Sequence, residues 1–509
     1  MLPRICHRFG TVSTIPRLSL VSLAEVSRSP AVDLPRVDPQ TLSIGIVHLG
    51  VGAFHRAHQA IFTEDAAAAL GQTNWGILGV TGRSDTVVRQ LAPQDGLYGV
   101  LTKGVDATSL RVVGSLRDIA WPGDRSADVV RALAAPTTHV ITLTMTEKGY
   151  LRGPGGGVDV TNVDLAHDLA MVDSAMAGVP VTEPSRTLLG LLVRGLALRF
   201  VSSRAPVSVA SCDNLTHNGA VVRAVVASAI ATLREPVALL SWLDSSVAFP
   251  STMVDRITPA TTEPDREEAM ALLGLRDAGL VVADPFRQWV IEDAFASERP
   301  RWELAGAILT SDVGPYEDVK LRILNATHSL LAYLGALMGY RTIAEAIADP
   351  TLRAASMRMI TEDVLPTLAA PAGINLAEYR DATLTRFANP NLAHTTAQVA
   401  MDGSQKLPQR LIPTISDRLA AGAVPHHLAL LTAAWITYIA STDDLADPMA
   451  ERLRAAVPSA NALYANPAVA VQNILAIETV FPPNVRDSQE FGDAVTAQLA
   501  VVRKLVSGG

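Results

Sequence analysis

The sequence predicts a two-domain α/β protein. Two observations carry that expectation. Apolar strand-like runs alternate with helical segments up to about residue 308, and beyond it long periodic segments follow one another with almost no strand signal. Alternation of that kind implies a mainly parallel sheet covered on both faces, and the remainder implies a mostly α-helical second domain. A chain of 509 residues is also too long for one ordinary core. The expected division is an N-terminal extension over residues 1–17, disordered and outside the fold, an α/β domain over 18–308 and a helical domain over 309–509.

Residues 1–17 carry Arg4, Arg8 and Arg17 and no acid, a pattern shared by transit peptides and plain tails. Ile44, Ile46, Val47 and Leu49 form a short apolar run that ends in Gly50-Val51-Gly52, and Ala-rich residues 57–70 follow: strand, glycine turn, helix. Further strands are expected over 75–81, 140–145 and 207–212, with a helix over 127–134. Residues 188–201 read as a buried helix despite Arg194 and Arg199, and the Gly-rich residues 153–157 read as a surface loop. In the second half, helices are predicted over 318–338, 343–348, 354–368, 376–387, 427–440 and 449–456. Pro350, Pro366, Pro371, Pro413, Pro425 and Pro448 punctuate them. No internal repeat is visible.

Composition narrows the function. A net charge of −8 argues against nucleic acid as partner, because phosphate binding needs a basic surface. The mean hydropathy of +0.25 is no membrane signal, since the longest apolar stretch, residues 427–441, falls short of the roughly 20 residues a span requires. Two cysteines, Cys6 and Cys212, make neither a disulfide framework nor a zinc site. A reducing, cytoplasmic setting and a small-molecule partner are expected. The oligomeric state stays open, and a monomer is compatible with the sequence.

Gly50-Val51-Gly52 lies where a nucleotide-binding turn belongs, between a first strand and its helix, although His55 stands where a third glycine usually does. Taken alone, a plain tight turn fits as well. At the end of the second strand, Arg83 and Ser84 suit a 2′-phosphate and Asp85 suits a ribose diol, so NAD is expected with NADP not excluded. A second polar cluster stands out near residue 320. At 100° per residue from Lys320, Glu317 falls near 60°, His328 near 80° and Asn325 near 140°, on a helix that also carries apolar residues. A lysine stripped of water can act as a base, and carboxamides can hold a developing alkoxide. Asn214, just past a strand end, is a second carboxamide in a favoured place. That chemistry is oxidation of an alcohol by a nicotinamide without a metal. A nucleotide-binding sensor that kept the fold is the rival, but a sensor has no use for a proton-abstracting lysine.

Seven ordered motifs then carry a resemblance. They are the segments 50–59, 144–150, 211–219, 249–259 and 284–293, the helix around Lys320, and Asp402-Gly-Ser-Gln-Lys-Leu-Pro408. In these the chain resembles the long-chain mannitol dehydrogenase family, which includes fructuronate and tagaturonate reductases, from about residue 18 almost to the end. The resemblance implies an N-terminal Rossmann-type domain, a helical C-terminal domain and a site between them. It implies Lys320 as general base, Asn214 and Asn325 holding the reacting oxygen, and Glu317 passing protons. His328, Asp255, Arg256 and Lys406 are then expected at the substrate, and Gly50, Val51, Gly52, Ala53, Phe54 and Arg83 at the cofactor. The implied substrate is a polyol, its ketose or an aldonate, with mannitol and fructose as the leading pair. Gln398, where a mannitol enzyme would be expected to carry a basic residue, leans toward keto-aldonates. Trp289 and Phe286 are expected to pack, and Arg287 is open between an internal ion pair and an interdomain role.

Overall fold

The apolar run before the glycine turn is the central strand of a six-stranded sheet in the computed structural model, which describes residues 15–26, 30–153, 155–392 and 394–508. The strands are β1 (Ile44–Leu49), β2 (Gly76–Val80), β3 (Leu116–Ala120), β4 (Val140–Leu143), β5 (Val207–Ser211) and β6 (Val247–Ala248). They lie in the order β3-β2-β1-β4-β5-β6, and every pairing is parallel. This is the doubly wound arrangement, in which the winding reverses between β1 and β4 and ligands sit at the carboxyl ends there. Side chains alternate between two cores. Val47 and Leu49 pack with helices Pro122–Ala134, Leu188–Ser202 and Asn218–Ala231, whereas Ile46 packs with Gln59–Leu70.

Arg194 and Arg199 are buried within helix Leu188–Ser202. Arg199 spends its donors on the carbonyls of Leu133, Ala135, Thr138, Ala205 and Pro206, so the charge is fully solvated by backbone. Among the described residues no helix is long and apolar enough to cross a membrane. Residues 1–14, with Arg4, Cys6 and Arg8, lie outside the described residues; Arg17 forms a parallel bridge with Arg276, and Leu18 is buried.

Two smaller sheets were not foreseen. One joins Val32–Asp33, Thr108–Val113, Tyr98–Lys103 and Val281–Ala283, and its central pair is antiparallel. The other joins Thr252–Asp255, Gln288–Glu292 and Ile308–Thr310. Their strands are short and their partners lie far off in the chain, so local pattern carries little signal. The expected boundary near residue 308 falls on the strand Ile308–Thr310, which pairs with Gln288–Glu292.

Beyond it the chain is helical and builds its own core around Ala326–Leu337, His426–Ser441 and Gln489–Ser507. Helix Gly403–Arg410 was not foreseen because Pro408 stands inside it.

Candidate active site

Lys320 sits in a cleft of about 300 Å³ between the carboxyl ends of the sheet and the second domain. Its Nζ donates to Asn214 Oδ1 and to the carbonyl of Val254, both at 2.5 Å. The residue is 6% exposed, and that burial lowers the ammonium from its ordinary range to about 8 against the opposing pull of Asp255. Both acceptors are held in place by neighbouring motifs. Asp213, beside Asn214, accepts from the backbone of Met145 and Thr146 at 2.9 Å and from Tyr150 at 2.6 Å. The Asn218 amide donates to the carbonyls of Asp213 and Thr252 and accepts from Thr252 N, which ties the Asn214 loop to the strand carrying Val254.

The helix around Lys320 differs from the regular α-helix the sequence suggests. Residues Lys320–Asn325 form a π-helical turn between α-helices Gly314–Val319 and Ala326–Leu337. Closing hydrogen bonds between residues five apart brings Asn325 over Lys320 rather than well around the helix from it. Asn325 and His328 line the same cleft. His328 stacks on Phe387 at 4.8 Å, and burial, followed by the nearby His394, pushes its imidazole well below the usual range, so it is neutral. Glu317 faces Asn214 and Lys320 across a cavity of about 20 Å³, room for about one water. Burial pushes its carboxyl up, and Oε2 accepts from His217 N at 3.3 Å.

Of three further residues expected at the substrate, two carry internal contacts and the third is left nearly unpartnered. Asp255 lines the cleft, yet both its oxygens are bound by Arg386, at 2.8 and 3.0 Å. Arg256 also lines the cleft, while its guanidinium donates to the carbonyls of Asp284 and Ala57 and to Thr102 Oγ1, all within the first domain. Lys406 reaches the cleft with one hydrogen bond, to the carbonyl of Val399 at 3.3 Å. Arg287 pairs internally with Asp65 at 2.8 Å, and Trp289 is fully buried.

The glycine turn fits a dinucleotide. Gly50 has φ +105°, and a Cβ there would lie 2.0 Å from the carbonyl oxygen of Thr144, so the turn exists only with glycine. At Gly52 a Cβ would meet nothing nearer than the Gly50 carbonyl at 3.7 Å, which leaves space in front of the turn for a phosphate to approach. Val51 is buried, Ala53 opens the helix Ala53–Ala57, and Phe54 lines the cleft. Arg56 donates to the carbonyls of Gly52 and Gly279, bracing the turn from behind. Beyond β2, Arg83 is exposed and lines an adjoining cleft, while Asp85 pairs with Arg89 at 2.8 Å. Gly50→Ala is therefore expected to lower the unfolding midpoint sharply. Gly52→Ala should leave the midpoint near that of the parent yet weaken dinucleotide binding about tenfold or more, as read by calorimetric titration.

The sequence reading missed three contributors. Val254 acts through its backbone carbonyl, which leaves no side-chain signal. Arg410 lines the cleft from the unforeseen helix Gly403–Arg410 and donates to Ser329 Oγ at 2.8 Å. Arg386 looks in sequence like one more polar residue on a helix. Among the described residues no group of three or more His, Cys, Asp or Glu side chains is placed to hold a metal ion.

Comparison with known proteins agrees with this fold. The Mannitol dehydrogenase Rossmann domain matches residues 44–304, and the Mannitol dehydrogenase C-terminal domain matches residues 312–503. D-mannonate oxidoreductase of Escherichia coli (strain K12) is 39% identical over 474 residues, covering 91% of this chain and 94% of the relative. The solved Pseudomonas fluorescens mannitol 2-dehydrogenase, a ternary complex with NAD and D-mannitol, superposes with a TM-score of 0.84 at 35% identity, over 97% of this chain and 99% of that one. A substrate-free D-sorbitol dehydrogenase gives 0.82 at 29% identity, over 96% and 98%. With both domain types matched in order and a solved relative superposing over nearly the whole chain, the chain belongs to the mannitol dehydrogenase family of oxidoreductases.

Proposed function

We propose that the protein transfers hydride between NAD and a secondary alcohol of an acyclic sugar alcohol or aldonate, with Lys320 as general base and no metal. One observation carries the reading: a buried lysine, its nitrogen fixed by two oxygen acceptors, in a cleft also lined by Phe54 of the helix that follows the glycine turn. The nicotinamide, when bound, supplies the hydride acceptor. The chain's own part is to manage the proton and the oxygen. A neutral lysine has two N–H bonds and one lone pair. Asn214 Oδ1 and the Val254 carbonyl take the two N–H directions, which leaves the lone pair for the substrate hydroxyl. Because Asn214 accepts from Lys320 through its oxygen, its amide NH2 is free to donate to the developing alkoxide, with Asn325 and neutral His328 as further contacts. Glu317, raised by burial, is suited to exchange that proton with water across the small cavity. The reading extends to a cytoplasmic enzyme.

Within this class, one feature favours a substrate that ends in a carboxylate over a neutral polyol such as mannitol. Lys406 and Arg410 both line the cleft, and their hydrogen bonds among the described residues go to the carbonyls of Val399 and Asn325 and to Ser329 Oγ rather than to a carboxylate. Burial, followed by Arg410, lowers Lys406 to about 8, and a carboxylate bound beside it would favour its charged form. D-mannonate oxidoreductase, the 39% identical relative, fits that preference. The test is kcat/KM for fructuronate and fructose with NADH and with NADPH. A preference of about tenfold or more for the keto-acid, and for NADH, is expected. A like margin for fructose would return the assignment to mannitol, and turnover of neither would sink the reading.

A further inference from the structure

Helix Leu376–Phe387 of the second domain reaches the first domain beside the cleft. Near its end, the Arg386 guanidinium binds Asp255 with two donors and Asp284 Oδ2 with Nε at 2.9 Å, and its Cζ lies over the Phe286 ring at 4.1 Å from the centroid. Asp255 ends the strand Thr252–Asp255, next to the Val254 carbonyl that holds Lys320. Asp284 Oδ1 in turn accepts from Ile257 N at 3.0 Å. The same segment makes further crossings. Tyr379 donates to Asp255 Oδ2 at 3.4 Å, and Asn389 and Asn391 donate to the carbonyls of Lys103 and Gly104 at 2.8 and 2.7 Å. Phe387, the residue after Arg386, stacks on His328.

We propose that Arg386 is a positioning residue for Lys320: it straps the helical domain to the strand that holds the lysine, and it balances the Asp255 carboxylate so that no free anion at that position faces the lysine nitrogen. The charged groups around Lys320 are Asp255 from the strand, Glu317 from helix Gly314–Val319, Arg386 from helix Leu376–Phe387 and Arg410 from helix Gly403–Arg410. Burial alone would raise Asp255, yet Arg386 holds it below the usual carboxylate range, so it is ionised. Without the guanidinium, Lys320 would be the main cation left facing Asp255, the two would hold each other charged, and the base would be occupied near neutrality.

The inference rests on Lys320 being the base. It is tested on the full chain by following kcat/KM against pH for NAD-dependent oxidation of D-mannonate, or of D-mannitol if the substrate panel selects it. Arg386→Met should move the acid limb to higher pH by about one unit, a roughly tenfold loss near neutrality that largely recovers in alkali. Arg386→Lys keeps the charge and should keep the limb, with a higher KM. Asp255→Asn should move the limb the other way, and it carries the test if Arg386→Met fails to fold. A loss that is equal at all pH values in Arg386→Met, or an unmoved limb in Asp255→Asn, would overturn the proposal and leave Arg386 a structural tie. If Lys320→Ala keeps its activity, the reading beneath falls; if that variant is dead and the limbs do not move, only the role of Arg386 falls.

Discussion

Lys320→Ala is expected to lower kcat about a thousandfold or more while leaving dinucleotide binding near that of the parent. The nitrogen it removes is the one group in the proposed reaction able to take the hydroxyl proton, and its surroundings are shaped for that task. Burial brings the ammonium to about 8 from an ordinary value above 10, so a useful fraction is neutral at physiological pH. The sign of the pH dependence follows. Alcohol oxidation needs the neutral amine, so kcat/KM should rise with pH through about 8. Ketone reduction needs the ammonium as proton donor and should fall through the same range. The glycine turn shares no hydrogen bond with Lys320, which is why cofactor binding should survive. Steady-state kinetics in both directions, with fluorescence titration of NADH, reads these outcomes. A variant within threefold of the parent would remove the lysine from the mechanism.

Much of the site is legible in the sequence because its residues depend on local geometry. Gly50 follows an apolar run and must be glycine at φ +105°, so strand and turn announce each other. Lys320, Asn325 and His328 share one helix, so spacing alone groups them. The π-helical turn is not legible, because no residue type in Lys-Leu-Arg-Ile-Leu-Asn demands it; it moves Asn325 from well around the helix to a place over Lys320. What could not be read is what depends on distant chain. Asp255 and Arg386 are 131 residues apart, and only the folded contact shows that the carboxylate is already bound. Arg256 looks in sequence like part of a substrate motif, yet its donors turn inward to Ala57, Asp284 and Thr102. The small sheets share this cause, since Tyr98–Lys103 is completed by Val281–Ala283.

Asn214→Asp carries the second large expected effect, because it changes charge with almost no change of shape. A carboxylate would then stand where the carboxamide oxygen lies, 2.5 Å from the lysine nitrogen. An opposite charge at such range stabilises the ammonium, so the acid limb of alcohol oxidation should move up by about one to three pH units. The variant also loses the NH2 that donates to the alkoxide, a deficit of roughly a hundredfold that pH does not restore. Near neutrality the two effects combine to about a thousandfold or more, and raising the pH should recover the electrostatic part alone. Asn214→Ala separates them: it removes the donor without adding charge, so activity should fall about a hundredfold with the limb close to that of the parent. Coincident pH profiles for the Asp and Ala variants would show that the proton on Lys320 does not govern the rate. Proton transfer to that nitrogen would then have to be abandoned, whatever the loss in kcat.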